Sequence, residues 1–353
     1  TFLAMVSSCA TAAFAGTYYM EDGSISIVAK TDGNYITQGT TINDQKDAGE
    51  TVITNHNSET ASKNTVTIKA EEGSTANVTL DNVNINASDT GKAAIYTQGK
   101  VTLELDGSNT LTGGAGHAAL EKYSSVDKDY TLTLQDQTTG DGKTGSLTAT
   151  GGTDGAGIGG SLQIVGGYAD NITITGGTIT ATGGEGGAGI GGGKANTNAV
   201  ASKRGGGNGN NITISGANTT VTATGGEGAA GIGGGKGDGG SRSGQGVEIT
   251  IRDGAHVTAT GTDGGAGIGG GDGSAGGDSS GIGKNITITG EGTTVKATGG
   301  ATGSGIGGGQ NGQGTFISIT EGAQVKATGG AKGGAGIGGG KRTGTDTNSG
   351  SGN

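Results

Sequence analysis

The chain has 353 residues, with 86 glycines and no proline, which excludes collagen-like and proline-rich architectures. Its formal charge of −10 is unevenly spread: residues 1–150 carry 18 acidic and 9 basic side chains, residues 151–353 carry 13 and 12. Neither part has the basic stripe that a phosphate backbone requires, so no nucleic-acid partner is expected. High glycine with few large apolar residues resembles a disordered composition, but Ile, Val and Thr recur at alternate positions, which is the pattern of a packed sheet.

Residues 1–15 have the form of a truncated export signal. Phe2-Leu-Ala-Met-Val6 is apolar, and Ala13-Phe-Ala15 has the small-x-small form that precedes cleavage, leaving Gly16 first. Val6-Ser-Ser-Cys9 resembles a lipobox, although the Ala-Phe-Ala site fits better. Cys9 is the single cysteine, so a cleaved protein has no disulfide. No later apolar run reaches the ~18 residues of a membrane span, and the expected address is secreted or bacterial cell surface.

Residues 16–60 lack a clear register and are expected to form an N-terminal cap of irregular strands, since solenoid ends must be covered. From 61 to 150 alternating strands recur, at Val66/Ile68, Val78/Leu80, Val83/Ile85, Val101/Leu103/Leu105 and Leu132/Leu134. Residues 151–340 then hold six glycine phrases of the type Gly-Ala-Gly-Ile-Gly-Gly, centred on Ile158, Ile190, Ile232, Ile268, Ile306 and Ile337. Two short strands precede most copies, as in Asn171-Ile-Thr-Ile-Thr175 and Thr178-Ile-Thr-Ala-Thr182. A recurrence of roughly 31–42 residues marks a repeat architecture.

No strand of such a unit makes a core alone. Stacked ~4.8 Å apart as coils of an all-β, right-handed parallel β-helix, the units would turn every apolar position into an internal ladder. Ala118-Ala-Leu120 stands where later repeats carry their isoleucine, and length differences fall after the glycine phrase, as in 194–209 and 236–246. Residues 341–353 form a Ser/Gly/Asn-rich tail or the start of a further repeat.

Val78-Thr-Leu-Asp-Asn-Val-Asn-Ile85, Ala93-Ala-Ile-Tyr96, Val101-Thr-Leu-Glu-Leu105 and Asn109-Thr-Leu-Thr112 resemble the bacterial carbohydrate-binding β-helix family, and the later repeats are similar to its coil unit in a glycine-rich form. The likeness spans roughly residues 60–340. It implies a pectate-lyase-like fold and binding of acidic polysaccharide, with calcium. No binding residue carries over, because the shared motifs are mostly core and corner residues.

Several motifs bear on chemistry. Gly155-Ala-Gly-Ile-Gly-Gly160 satisfies G-x-G-x-x-G, but no helix follows and the phrase recurs, so it is a coil corner. Gly142-Lys-Thr144 lacks the first glycine of a P-loop and is expected to be a turn. Glu185, Glu227 and Asp263 each lie five places before their isoleucine. Stacked, they are either solvated turn charges or a ladder that needs a hard cation such as calcium. Glu121, Tyr123, Asp127, Asp129 and Tyr130 gather in an irregular segment and are the candidate ligand-binding residues, the alternative being a loop lid over the core. His56, His117 and His256 are separated, with no metal-ligand partner at short spacing. No cluster of Asp ligands with a basic partner suits a lyase, so no catalytic residue is expected. Outward threonine rows form a hydroxyl ladder of the kind flat ice-binding faces use, or plain solvated strand positions.

The expected protein is a non-catalytic secreted or surface polysaccharide binder. An acidic glycan meeting the acidic front half would need calcium to bridge it. The alternative is a structural stalk, adhesin or fibre that self-associates end to end through exposed solenoid edges.

Overall fold

The computed structural model describes residues 16–47, 49–125, 128, 130–137, 144–162, 167–195, 205–237, 242–273 and 281–342. They form a right-handed parallel β-helix with three sheets, and from residue 75 onward each coil gives one strand to each sheet. Alternation of apolar and polar residues drives this arrangement: one face of every strand turns inward, and in-register stacking places like residues on like. In the first sheet Ile172 lies against Ile212, then Ile249, Ile286 and Ile317. In the second, Ile179 is followed by Val221, Val257, Val295 and Val325. In the third, the six phrase isoleucines stack from Ile158 to Ile337, with Leu120 as the rung before them. Burial of each such side chain stabilises the fold by about 1.5–3 kcal/mol as far as Ile306, whereas Ile317, Val325 and Ile337 in the last coil are only partly covered.

The third sheet packs coil on coil through glycine. Its outward row is Gly159, Gly191, Gly233, Gly269, Gly307 and Gly338. At Gly233, φ is 132° and a Cβ would overlap the carbonyl oxygen of Gly269 in the next coil, so no side chain fits. The residue four after each isoleucine locks neighbouring coils: the amides of Lys194, Lys236, Asp272 and Gln310 donate to the carbonyls of Asp154, Gly186, Gly228 and Gly264 at 2.6–2.9 Å.

The first sheet also carries a backbone ladder that the Asn-Ile-Thr-Ile motif anticipates. Asn171, Asn211, Glu248, Asn285 and Phe316 all have φ between 49° and 60°, a left-handed conformation that asparagine tolerates better than bulky residues. Asn211 Nδ2 donates to Asn171 Oδ1 at 2.6 Å.

The residues before 60 have a definite register, which the sequence did not disclose. Thr17–Tyr19 is the first strand of the first sheet and pairs in parallel with Thr51–Thr54. Ile25–Lys30 pairs in parallel with Val66–Ala70, while Gly33–Gln38 and Ile42–Asp47 follow it antiparallel. Antiparallel strands cannot propagate the helix, and this meander crosses its first coil. Buried Asn34 donates to Thr51 Oγ1 at 2.8 Å and to the Asn77 carbonyl at 3.0 Å. Buried Asp47 accepts from Thr51 Oγ1 and from the hydroxyl of Tyr18. Burial, reinforced by that carboxylate, pushes the Tyr18 phenol up to about 12.

Candidate functional site

Forward of Gly159 the outward row of the third sheet gains side chains: the rungs become Glu121, Tyr96, Thr67 and Ser26. Chemistry therefore enters where the glycine phrase decays. Tyr96, Tyr123 and Tyr130 form a file of tilted rings, with centroids 6.4 and 6.2 Å apart and interplanar angles of 46° and 44°. Such offset pairs suit the ring quadrupoles and hold the rings apart from one another's faces. The Tyr123 amide donates to the Thr97 carbonyl at 2.9 Å, and the Tyr130 carbonyl accepts from Asn171 Nδ2 at 3.3 Å, so each turn is tied to a neighbouring coil. Tyr123 is 37% exposed. Burial pushes the Tyr96 phenol up to about 12, helped by the charge of Glu121 and by the other two tyrosines, so it stays a neutral donor at physiological pH.

Beside Tyr130 runs a groove of about 680 Å³, lined among others by Lys69, Glu71, Glu72, Gln98 and Lys100. Lys128 lies on its rim and pairs with Glu72 at 2.8 Å. At the other end of the file a smaller hollow of about 180 Å³ is lined by Thr65, Thr67, Lys92, Tyr96 and His117. Lysines thus line both hollows, within the half of the sequence that carries the acidic excess.

The five expected ligand-binding residues separate into three groups. Tyr123 and Tyr130 come together as expected and are joined by Tyr96. Glu121 is 5% exposed, and its Oε2 lies 2.7 Å from His117 Nδ1, so it reaches a ligand only through that histidine. The turn 114–117 folds back on the strand Leu120–Lys122, which brings the pair together without a helix. That hydrogen bond raises the His117 pKa, against the desolvation of its half-buried ring. Asp127 and Asp129 lie outside the described residues. The sequence held a signal for the missed pair, His and Glu four apart, which is informative only once the chain reverses between them.

The acidic ladder takes lysine partners. Glu185 meets Lys194 at 2.7 Å and Glu227 meets Lys236 at 2.6 Å; Lys194 also reaches Asp154 of the preceding coil at 3.1 Å. The counter-charge for Glu185 and Glu227 thus comes from the residue four after Ile190 and Ile232. Lys194 holds the Glu185 carboxyl below its ordinary value. In the Asp263 coil that residue is Asp272, whose carboxyl burial pushes up; Lys236 opposes this, and Asp263 and Glu227 add to it. Among the described residues no three His, Cys, Asp or Glu side chains gather so as to hold a metal ion.

His56 stacks on Tyr19 at 3.7 Å, and His256 Nδ1 lies 2.7 Å from Thr294 Oγ1. Both stand apart from the tyrosine file. The outward threonines of the second sheet are in register from Thr150 through Thr182, Thr224, Thr260 and Thr298 to Thr328, with Lys296 and Lys326 interrupting the adjacent row.

A family model described as a beta helix repeat matches residues 144–162, 172–194, 212–236, 249–272 and 286–310. Each matched segment ends on the residue four after a phrase isoleucine, which is the residue that locks one coil to the next. No curated protein and no solved structure matches the chain. Among the described residues no helix is long and apolar enough to cross a membrane.

Proposed function

We propose that this β-helix is a non-catalytic polysaccharide-recognition protein of the bacterial surface or its surroundings, with Tyr96, Tyr123 and Tyr130 as its platform. The observation that carries the reading is the file of three rings beside the lysine-lined groove. Aromatic rings give rigid, amphipathic contact area for the apolar faces of sugars, while neighbouring amides and amines satisfy hydroxyls. Gln98, Lys69 and Lys100 stand where a chain passing the rings would meet them. The export-like residues 1–15 support the extracellular address. Lys69 and Lys100 stand beside Glu71 and Glu72 in the groove and offer an acidic glycan direct partners, an alternative to the bridging calcium that the acidic composition suggested.

A glycan array, run with calcium and with chelator, tests the reading. A polysaccharide hit that survives the chelator and is lost in Tyr123→Ala is expected. A stalk is the second reading, favoured by the unbroken in-register ladders and the coil-to-coil locks. Absence of any glycan hit, together with filaments in electron micrographs, would replace the first reading with the second.

A further inference from the structure

We propose that the hollow over Tyr96 is a carboxylate-binding subsite, in which Lys92 and the imidazolium of His117 hold the acid group of a sugar and buried Glu121 orients the imidazole from behind. The proposal rests on the polysaccharide reading and assigns one end of the tyrosine file a charge preference and a pH dependence.

Three observations carry it. Lys92 and His117 spring from turns bonded to each other, since the Gly114 amide donates to the Lys92 carbonyl at 2.8 Å and the His117 amide to the Gly114 carbonyl at 2.9 Å. Both side chains line the same hollow with Thr65, Thr67 and Tyr96. Its volume, about 180 Å³, lies below the ~300–1,000 Å³ of an ordinary ligand pocket, so it suits one terminal unit. Finally, Glu121 occupies His117 Nδ1 at 2.7 Å from a buried position, which leaves Nε2 as the ring's other donor when protonated.

The charges around the hollow favour an anion. Glu121 and protonated His117 offset each other, and Lys92 is exposed. From the preceding coil Tyr96 contributes a phenol that stays neutral, and Asp89, in the turn that carries Lys92, is paired with Lys63 at 3.0 Å. In the turn of the following coil, Asp154 is paired with Lys194 at 3.1 Å. A sugar carboxylate with two anionic oxygens accepts from both Lys92 and His117, as charge-assisted hydrogen bonds. The hydrogen bond to Glu121 raises the pKa of His117, so the imidazolium persists to higher pH than in a free histidine and is lost as pH rises through that value. Affinity for the acid sugar therefore falls with rising pH, whereas affinity for a neutral sugar does not.

Calorimetry of the full chain with a glucuronate-ended oligosaccharide and its neutral glucose counterpart, at pH about 5.5 and about 8, tests this. A glutamate-ended peptide serves as the non-sugar carboxylate. The acid sugar should bind about tenfold more weakly at the higher pH, the worth of one charge-assisted hydrogen bond. Exposed Lys92→Gln should cost about tenfold for the acid sugar and leave the neutral one unchanged. His117→Gln should flatten the pH profile, and Glu121→Gln should lower the His117 titration midpoint seen by NMR. Equal affinity for acid and neutral sugars, a pH slope that survives His117→Gln, equally tight peptide binding, or loss of the preference with chelator would each overturn the proposal. Neutral-sugar binding that persists in those cases leaves the tyrosine platform standing; loss of all sugar binding removes both.

Discussion

The rear coils and the front coils share one ladder and use it in opposite ways. From Gly159 to Gly338 the outward row of the third sheet is glycine, and adjacent coils approach until no Cβ fits between them. At Glu121, Tyr96 and Thr67 the same row carries side chains, one of them buried against a histidine and one in an aromatic file. Strict repetition gives the rear its packing but makes its positions interchangeable. A binding site needs dissimilar groups at fixed places, so it arises where repetition lapses and the coils still hold the backbone in register.

The sharpest way to break this contrast is to put a side chain in the rear row. Gly233→Val should destabilise by about 4 kcal/mol or more, because the branched side chain meets a backbone carbonyl and the left-handed φ is unsuited to it. Thermal or denaturant unfolding checks this; a Tm close to wild type would remove the steric account. Ile232→Ala, beside it and fully buried, should cost about 3–5 kcal/mol through its cavity.

In the front the balance shifts from stability to binding. Tyr123→Ala should weaken polysaccharide binding about tenfold, as removal of an aromatic anchor does. Its stability should stay within roughly 0.5 kcal/mol, because the ring is substantially exposed. A large fall in Tm without loss of binding would place Tyr123 in the core instead.

Glu185→Gln probes the corner between these extremes. The Glu185 carboxylate is half exposed and Lys194 keeps Asp154 as a second partner, so the pair should be worth under about 1 kcal/mol. The Glu185 carboxyl is held below its ordinary value. Its contribution is thus complete above the unfolded value near 4.3 and lost as pH falls through the lower folded one. The difference between wild type and Glu185→Gln should accordingly vanish in acid. The smallest effect expected is a gain: Phe316, 70% exposed at φ 54°, should stabilise by about 0.5 kcal/mol on replacement by Asn, the residue that fills this rung in three other coils.

The coil was legible because its signal is local and repeated. Ile179, Ala181 and their equivalents alternate within five residues, and the repeat spacing aligns Leu120 with Ile158 although neither residue shows it alone. The antiparallel meander before residue 60 was not legible, since Gly33–Gln38 alternates like any other strand and only its pairing with Ile25–Lys30 and Ile42–Asp47 sets it apart. Tyr123 and Tyr130 could be picked out as a cluster, but Tyr96 belongs with them only through the stacking of one coil on the next.

By itself the sequence determined the three-strand coil, the inward ladders and the rows where glycine is required, because period-two alternation and steric exclusion act on each residue directly. The tertiary structure decided which charges neutralise which: Lys194 with Glu185, Lys236 with Glu227, His117 with Glu121. Coulomb interactions and hydrogen bonds depend on distances that the chain sets only when its corners reverse direction. The same reversals placed three tyrosines from two coils in one file.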